Sequence, residues 1–342
     1  MAKNNDLLLD DLNEQNFPAM LKWLYRDSPA NVTLEFMAKQ GDEVIAHYGA
    51  LPFAFKLAGA AGLIGGFASN LVIDKANRTG SLFFSLQSYF FREYPKKGFA
   101  FMYGLITRDG VLEPHLRMGW KKQGEVPVYA RPVNLANVAR AALTQPWLAE
   151  AASLPLKLAA PLWNAGILWG TRGRLIKVER VDRFDDSIEP VLAKVAQRFP
   201  TIALRSPAIL NWRFTGLSTR EYQLFVARRS GQAVGYFVTR RLKMKGLDAL
   251  ALVDFAFDPD DIGAGRAVLR SCTQEAAKQK VDLVATILNP GSPFLPFLKR
   301  VGFLKTPETF KMVTHVPKTS AVKIDSSVFE QWHLTWFDHD YV

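Results

Sequence analysis

Apolar positions along the first 135 residues keep two rhythms, one helical and one alternating. Phe17, Met20, Leu21 and Leu24 stand at i, i+3, i+4 and i+7, which predicts a short amphipathic helix over 17–26. Strands over 32–38 and about 43–57 are predicted on either side of a turn at Gly41-Asp42. The glycine-rich stretch 59–66 reads as a turn region, and 67–73 as a strand apolar enough to be buried on both faces. After a break at 74–80, Leu82, Ser85, Leu86, Tyr89 and Phe90 line one stripe of a helix over 81–94. A buried strand over 99–106 and a short helix over 111–118 follow, where Gly119 suits a left-handed helix end.

A similar order returns downstream with little identity between the two stretches. Strands over 224–227 and 233–240 flank Ser230-Gly231, then come a buried strand over 250–257, a helix over 262–278, a strand over 283–288 and a short helix over 294–300. This alternation predicts an α/β chain, built as two tandem mixed-sheet domains with helices on both faces. The expected divisions are 1–133, a connector over 134–182 and 183–342. The connector is rich in Ala, Leu and Pro and carries Trp147, Trp163 and Trp169, so it is expected to pack on both domains. Peripheral membrane contact through 154–177 is the sharper alternative, given Arg172, Arg174 and Lys177, although Pro155 and Pro161 interrupt any long amphipathic helix.

Composition narrows the classes. A chain of 342 residues that is 49% hydrophobic and 22% charged is an ordinary globular chain, long enough for two domains. Lys+Arg 43 against Asp+Glu 32 gives a net charge of +11, which points to an anionic partner: a phosphate-bearing cofactor, RNA or an acidic membrane surface. One cysteine, Cys272, excludes an intramolecular disulfide and a cysteine-based zinc site. The polar opening Met1-Ala2-Lys3-Asn4-Asn5-Asp6 is not a signal segment, and no uncharged apolar run reaches about 18 residues, so a cytoplasmic protein without a transmembrane segment is expected. His333, Asp338, His339 and Asp340 alternate along an expected final strand, so no compact metal site is expected. Arg228-Arg229, Arg240-Arg241, Lys243 and Lys245 read as a solvated basic edge.

The informative stretch runs from Asn70 to Leu86: a buried strand, a loop with Lys75, Arg78 and Gly80, then a helix. A helix start aims several backbone N–H groups and its dipole at one spot, which suits a pyrophosphate. Leu71-Val72-Ile73-Asp74, Arg78-Thr79-Gly80-Ser81-Leu82, the strand over 101–106 and Pro114-His115-Leu116-Arg117-Met118-Gly119-Trp120 come in the order of a known pattern. Over about 10–135 the chain resembles the GNAT superfamily of acyl-CoA-dependent N-acyltransferases. There, a strand end, an Arg/Gln-x-x-Gly-x-Gly/Ala loop with its helix, a further strand and a short helix before a glycine–aromatic pair occur in succession.

The resemblance implies that Leu71, Val72 and Ile73 line the thioester, with an N–H near Val72 or Ile73 for the oxyanion, and that Arg78, Thr79, Gly80, Ser81 and Leu82 hold the CoA pyrophosphate. His115 falls where the family commonly has a tyrosine that protonates the departing thiolate, and Ser81 where the first loop glycine lies. No glutamate stands on 67–73 as a general base. The second stretch resembles the same superfamily in degenerate form, with acids in Asp258-Pro259-Asp260-Asp261 where phosphate would bind and Leu298 at the tyrosine position. The implied activity is transfer of an acyl group, acetyl in the first instance, from acetyl-CoA or another acyl-CoA to a primary amine or amino sugar, with nucleic acid not expected as a partner. A Fem-type aminoacyl-tRNA-dependent transferase and a non-catalytic tandem ligand-binding protein are the alternatives.

Overall fold

Eight residues near the start of the chain return 189 positions later: Pro18-Ala19-Met20-Leu21-Lys22-Trp23-Leu24-Tyr25 becomes Pro207-Ala208-Ile209-Leu210-Asn211-Trp212-Arg213-Phe214. Each copy forms a helix, α1 (Phe17–Tyr25) and α6 (Pro207–Thr215). The two helices meet reciprocally, as symmetry-related surfaces do. Trp23 Nε1 donates to the Trp212 carbonyl at 2.7 Å, Trp212 Nε1 donates to the Trp23 carbonyl at 3.0 Å, and the rings lie 5.5 Å apart.

The computed structural model describes residues 17–78, 80–143, 147, 150, 155–160, 162–163 and 176–339. After α1 come β1 (Leu34–Gln40), β2 (Glu43–Leu57), β3 (Ala60–Ile73), α2 (Gly80–Glu93), β4 (Phe99–Ile106), α3 (Asp109–Arg117) and β5 (Lys121–Pro132). Between the copies lie α4 (Leu135–Ala142), β6 (Ile176–Val181), α5 (Glu189–Arg198) and β7 (Thr201–Ala203). After α6 the order repeats as β8 (Gln223–Arg229), β9 (Gln232–Met244), β10 (Leu247–Phe257), α7 (Ile262–Lys278), β11 (Leu283–Ile287), α8 (Leu295–Arg300) and β12 (Leu304–His315). Then follow α9 (Ser326–Glu330) and the two-residue β13 (Trp332–His333). The fold is mixed α/β, as the alternation of elements implies.

All described strands join one mixed sheet, in the order β13-β7-β2-β3-β4-β12-β5-β11-β10-β9-β8-β6 with β1 on β2. The two copies exchange their last strands. β12 of the second copy pairs antiparallel with β4 of the first, β5 of the first pairs antiparallel with β11 of the second, and β5 and β12 pair at the centre. Separating the halves therefore breaks backbone hydrogen bonds on both sides.

The glycine-rich stretch 59–66 is strand rather than turn. The reversal sits at Ala58-Gly59, both at positive φ, and β3 runs on through Gly65 and Gly66. Those two glycines are required for packing: a Cβ on Gly65 would come 2.5 Å from the Phe101 ring, and one on Gly66 would come 2.4 Å from Met102 Sδ. Gly119 ends α3 at φ +98, the left-handed conformation that favours glycine.

Helix α2 covers one sheet face, where Tyr48 stacks on Phe90 at 4.3 Å beside Tyr94 and Met102. On the other face lie α1 and the segment after α9. Only Trp332 and His333 of that segment pair as strand, with β7. A 3₁₀ turn over Trp336–Asp338 replaces the continuous strand expected there, because Thr335 and Asp338 form a reciprocal capping box. Trp332 packs on Phe55, Phe101 and Tyr103, Phe337 on Phe53 and Phe214, and His339 on Phe67 and Phe310. In the connector, Trp163 donates to the Pro132 carbonyl at 3.0 Å, and its ring lies 2.8 Å from where a Cβ on Gly302 would stand, so it touches both copies. Residues 164–175, which carry Trp169, Arg172 and Arg174, lie outside the described residues. Among the described residues no helix is long and apolar enough to cross a membrane.

Candidate functional site

Strands β3 and β4 run parallel and pair only from Ile64–Phe99 to Phe67–Tyr103. Beyond that point β3 continues to Ile73 and β4 to Ile106 without pairing to each other, β4 being held on its opposite edge by β12, so the two strands splay apart. Just past the parting, Asn70 sits at φ +51, and Asn70 and Leu71 together oppose Tyr48 alone. This is a β-bulge, a device that redirects the following N–H and C=O groups. Asparagine tolerates the left-handed region better than any residue but glycine.

Neighbouring side chains brace the bulge. Asn70 Nδ2 donates to the Tyr25 hydroxyl at 2.9 Å, and that hydroxyl lies 2.7 Å from Ser69 Oγ. His47 Nδ1 donates to the Asn70 carbonyl at 3.0 Å, and His47 Nε2 faces Glu35 Oε1 at 3.2 Å. Gly49 leaves room for Tyr25, since a Cβ there would come 2.6 Å from the ring. Sequence reasoning missed this brace, because Glu35, His47 and Tyr25 meet only when β1, β2 and α1 assemble.

On the α2 face, β3 leads into the loop expected to hold phosphate. Asp74 caps a 3₁₀ turn over Lys75–Asn77 by accepting from Ala76 N at 2.9 Å, and Arg78 Nε donates to the Ile73 carbonyl at 3.1 Å. Arg78, Gly80 and Ser81 are exposed, Leu71, Val72, Ile73 and Leu82 half-buried, and Thr79 lies outside the described residues. Around Gly80 there is space. A Cβ built there would meet nothing closer than the Phe84 ring at 3.8 Å.

His115 occupies a different setting from the loop. It is buried, its Nδ1 donates to the Val111 carbonyl at 2.7 Å, and its Nε2 accepts from the Gln87 amide at 3.2 Å. Gln87 also donates to the Tyr48 hydroxyl at 3.3 Å and accepts from Trp120 Nε1 at 3.1 Å. Burial pulls the His115 pKa down, against the Val111 carbonyl, which raises it. The Nδ1 proton is directed at the Val111 carbonyl, and the ring packs on Phe83 of α2 at 5.4 Å between ring centres.

The second copy keeps the architecture and fills the space. β10 and β11 pair only from Ala249–Leu283 to Ala251–Ala285, and a register shift between Leu252 and Asp254 marks a bulge there too. The Asp254 carboxylate next to it accepts from the Tyr236 and Thr335 hydroxyls, both at 2.7 Å, with Arg205 3.5 Å away. Arg205 also reaches Asp338 at 2.8 Å, and burial raises the Asp338 carboxyl pKa to about 6 despite that cation. At the start of α7, Asp261 accepts from Ala264 N and is clamped by Arg229 at 2.7 and 2.8 Å. A carboxylate and a guanidinium thus occupy the start of this helix.

Among the described residues no group of histidine, cysteine, aspartate and glutamate could hold a metal ion. His333 stacks on Phe199 and His339 packs on Phe67, while Asp340 lies outside the described residues. The basic edge is paired: Arg228 with Glu179, Arg229 with Asp261, Arg241 and Lys243 with Asp248, and Lys245 with Glu308.

A splayed parallel pair, a bulge at the parting and a loop-to-helix start, present twice in one sheet, define a tandem GNAT-like fold. Solved structures carry the same fold at low identity. Saccharomyces cerevisiae N-myristoyltransferase with bound myristoyl-CoA matches at TM-score 0.59 and 13% identity, covering 91% of this chain and 83% of that one. A GCN5-related N-acetyltransferase from Anabaena variabilis matches at TM-score 0.59 and 11% identity, covering 88% of this chain and 66% of that one. An Enterococcus faecalis protein described as a probable N-acyltransferase matches at TM-score 0.58 and 11% identity, covering 88% of this chain and 65% of that one. No protein-family model matches the chain. No curated protein matches it either.

Proposed function

We propose that this chain is an acyl-CoA-dependent N-acyltransferase whose donor site belongs to the half within 1–133. One observation carries the reading: the same splayed pair exists twice, and at the second helix start the Arg229 guanidinium clamps the Asp261 carboxylate, whereas Gly80 and Ser81 at the first helix start are exposed. Arg78, Thr79, Gly80, Ser81 and Leu82 would hold the pyrophosphate of acetyl-CoA or a longer acyl-CoA, and the space around Gly80 fits close approach of a phosphate. The neutral amine nitrogen attacks the thioester carbonyl, and the carbonyl oxygen takes the negative charge against N–H groups of Leu71 to Ile73. The C–S bond breaks as the nitrogen loses a proton to solvent and the departing CoA thiolate takes one up, leaving amide and free thiol. Tyr25, His47 and Glu35 act as positioning residues through Asn70.

His115 enters this scheme as a positioning residue rather than as the proton donor expected from the resemblance. Its hydrogen bonds to Val111 and Gln87 support that role, since donation would require the proton to move to Nε2 and the Gln87 amide to turn. His115→Gln should therefore cost less than about tenfold in rate, whereas loss of a general acid costs about 10²- to 10⁴-fold. The rate decides between the two, and the melting temperature of His115→Phe, which loses both hydrogen bonds, shows how much of any rate loss is unfolding.

The acceptor is proposed to be a small primary amine or amino sugar. The paired state of the basic edge supports leaving nucleic acid out. Peripheral membrane contact through 154–177 stays within the proposal, supported by Leu158 and Leu162, which are 70% and 77% exposed. Calorimetric titration with acetyl-, octanoyl- and myristoyl-CoA, followed by thiol release with an amine panel, tests the reading. Binding of one donor with amine-dependent thiol release is expected. No heat with any donor at sub-millimolar protein removes the reading.

A further inference from the structure

On the sheet face opposite α2, a cavity of about 570 Å³ opens between the end of α6, the loop over 216–222 and the ends of β6, β8 and β9. That volume is in the range of small-ligand sites, roughly 300–1,000 Å³. Its charged lining sets three cations, Arg180 from β6, Arg220 from the loop and Arg241 from β9, against the two exposed carboxylates of Asp182 and Glu221. Arg241 shares Asp248 with Lys243, so that carboxylate neutralises only part of the pair.

Two observations turn the cavity toward the candidate site. Arg220 is buried, with its guanidinium over the Trp23 ring at 5.9 Å, and Arg213 of α6, next in the chain to the lining residue Phe214, donates to the His339 carbonyl. The His339 ring packs on Phe67 at 5.1 Å, and Phe67 is the last residue of β3 paired with β4. The inner wall of the cavity therefore approaches the parting strands from the face opposite the phosphate loop. Tyr222 lines the same cavity, and its buried hydroxyl has no hydrogen-bond partner among the described residues. A buried polar group left so is costly unless a water or ligand satisfies it.

We infer that this cavity seats the anionic oxygen group, carboxylate or phosphate, of the amine that accepts the acyl chain. The inference rests on the acyltransferase reading for the word acceptor, but the anion site stands on the lining alone. Guanidinium forks match both carboxylate and phosphate, and apolar walls such as Phe214 and Leu217 strengthen their field. A donor on the α2 face and an anionic amine on the α1 face would meet across the splay.

Calorimetry with two matched pairs tests this on the full chain: phosphoethanolamine against ethanolamine, and glycylglycine against glycylglycinamide. The anionic member of at least one pair should bind about tenfold tighter or more. Which pair does so distinguishes phosphate from carboxylate. The Arg180→Gln, Arg241→Gln double variant, altered at solvent-accessible arginines, should lose that preference and keep its affinity for acyl-CoA. Equal binding within both pairs overturns the inference, and so does a preference that survives the double variant. Anion preference without any acyl-CoA binding would instead keep the anion site and remove the acyltransferase reading.

Discussion

Ending the chain after Gln331 should abolish its cooperative thermal transition. The removed segment buries Trp332, Leu334, Trp336 and Phe337 completely against both copies of the fold. Burying each such side chain contributes about 1.5–3 kcal/mol, or about 6–12 kcal/mol for the four. That is comparable with the whole stability of a typical domain, about 5–15 kcal/mol. Truncation also takes Asp338 from Arg205 and Thr335 from Asp254, leaving buried charges with fewer partners. Near-ultraviolet circular dichroism and calorimetry read the outcome. A truncated protein with a transition within a few degrees of the intact one would show the segment to be an accessory.

The largest effect on turnover is expected at Asn70. Asn70→Val places a β-branched residue at φ +51, which costs about 1–2 kcal/mol, and deletes the donor to Tyr25. The bulge should then relax into regular strand and turn the oxyanion donors away, lowering kcat/KM by about 10²-fold or more. Asn70→Gly allows the same backbone angles and should retain most of the rate. Acyl-CoA affinity should stay within about threefold in both, because the pyrophosphate loop is untouched. Equal rates in the two variants would detach the bulge from catalysis.

How much of this was legible in the sequence differs by element. Helix α2, strand β4 and the left-handed Gly119 follow from local periodicity and from the one residue type that suits positive φ. The glycines of β3 misled because a glycine in a strand and one in a turn look alike until Phe101 and Met102 arrive opposite them. The exchange of β5 and β12 joins residues more than 170 positions apart, as in Thr306 donating to Val128, and no local pattern carries it. The recurrence of Pro-Ala-x-Leu-x-Trp was available at a fixed offset, and comparing the chain with itself at that spacing would have found it. His115 stood out by its place in a motif, yet its protonation depends on Val111 and Gln87, and Gln87 comes from another helix. The brace on Asn70 and the burial of Asp338 are likewise products of assembly.

Paired charge reversals test the central claim, that the first copy alone holds the donor. Arg78→Glu inverts the charge at the exposed helix start, while Arg266→Glu makes the same change beside a start already occupied by Asp261 and Arg229. Titrating both variants with the acyl-CoA that binds the unaltered protein should give a Kd raised about tenfold or more by Arg78→Glu, equivalent to about 1.4 kcal/mol, and changed less than about twofold by Arg266→Glu. Equal weakening by both, or weakening by Arg266→Glu alone, would contradict the assignment of the active half.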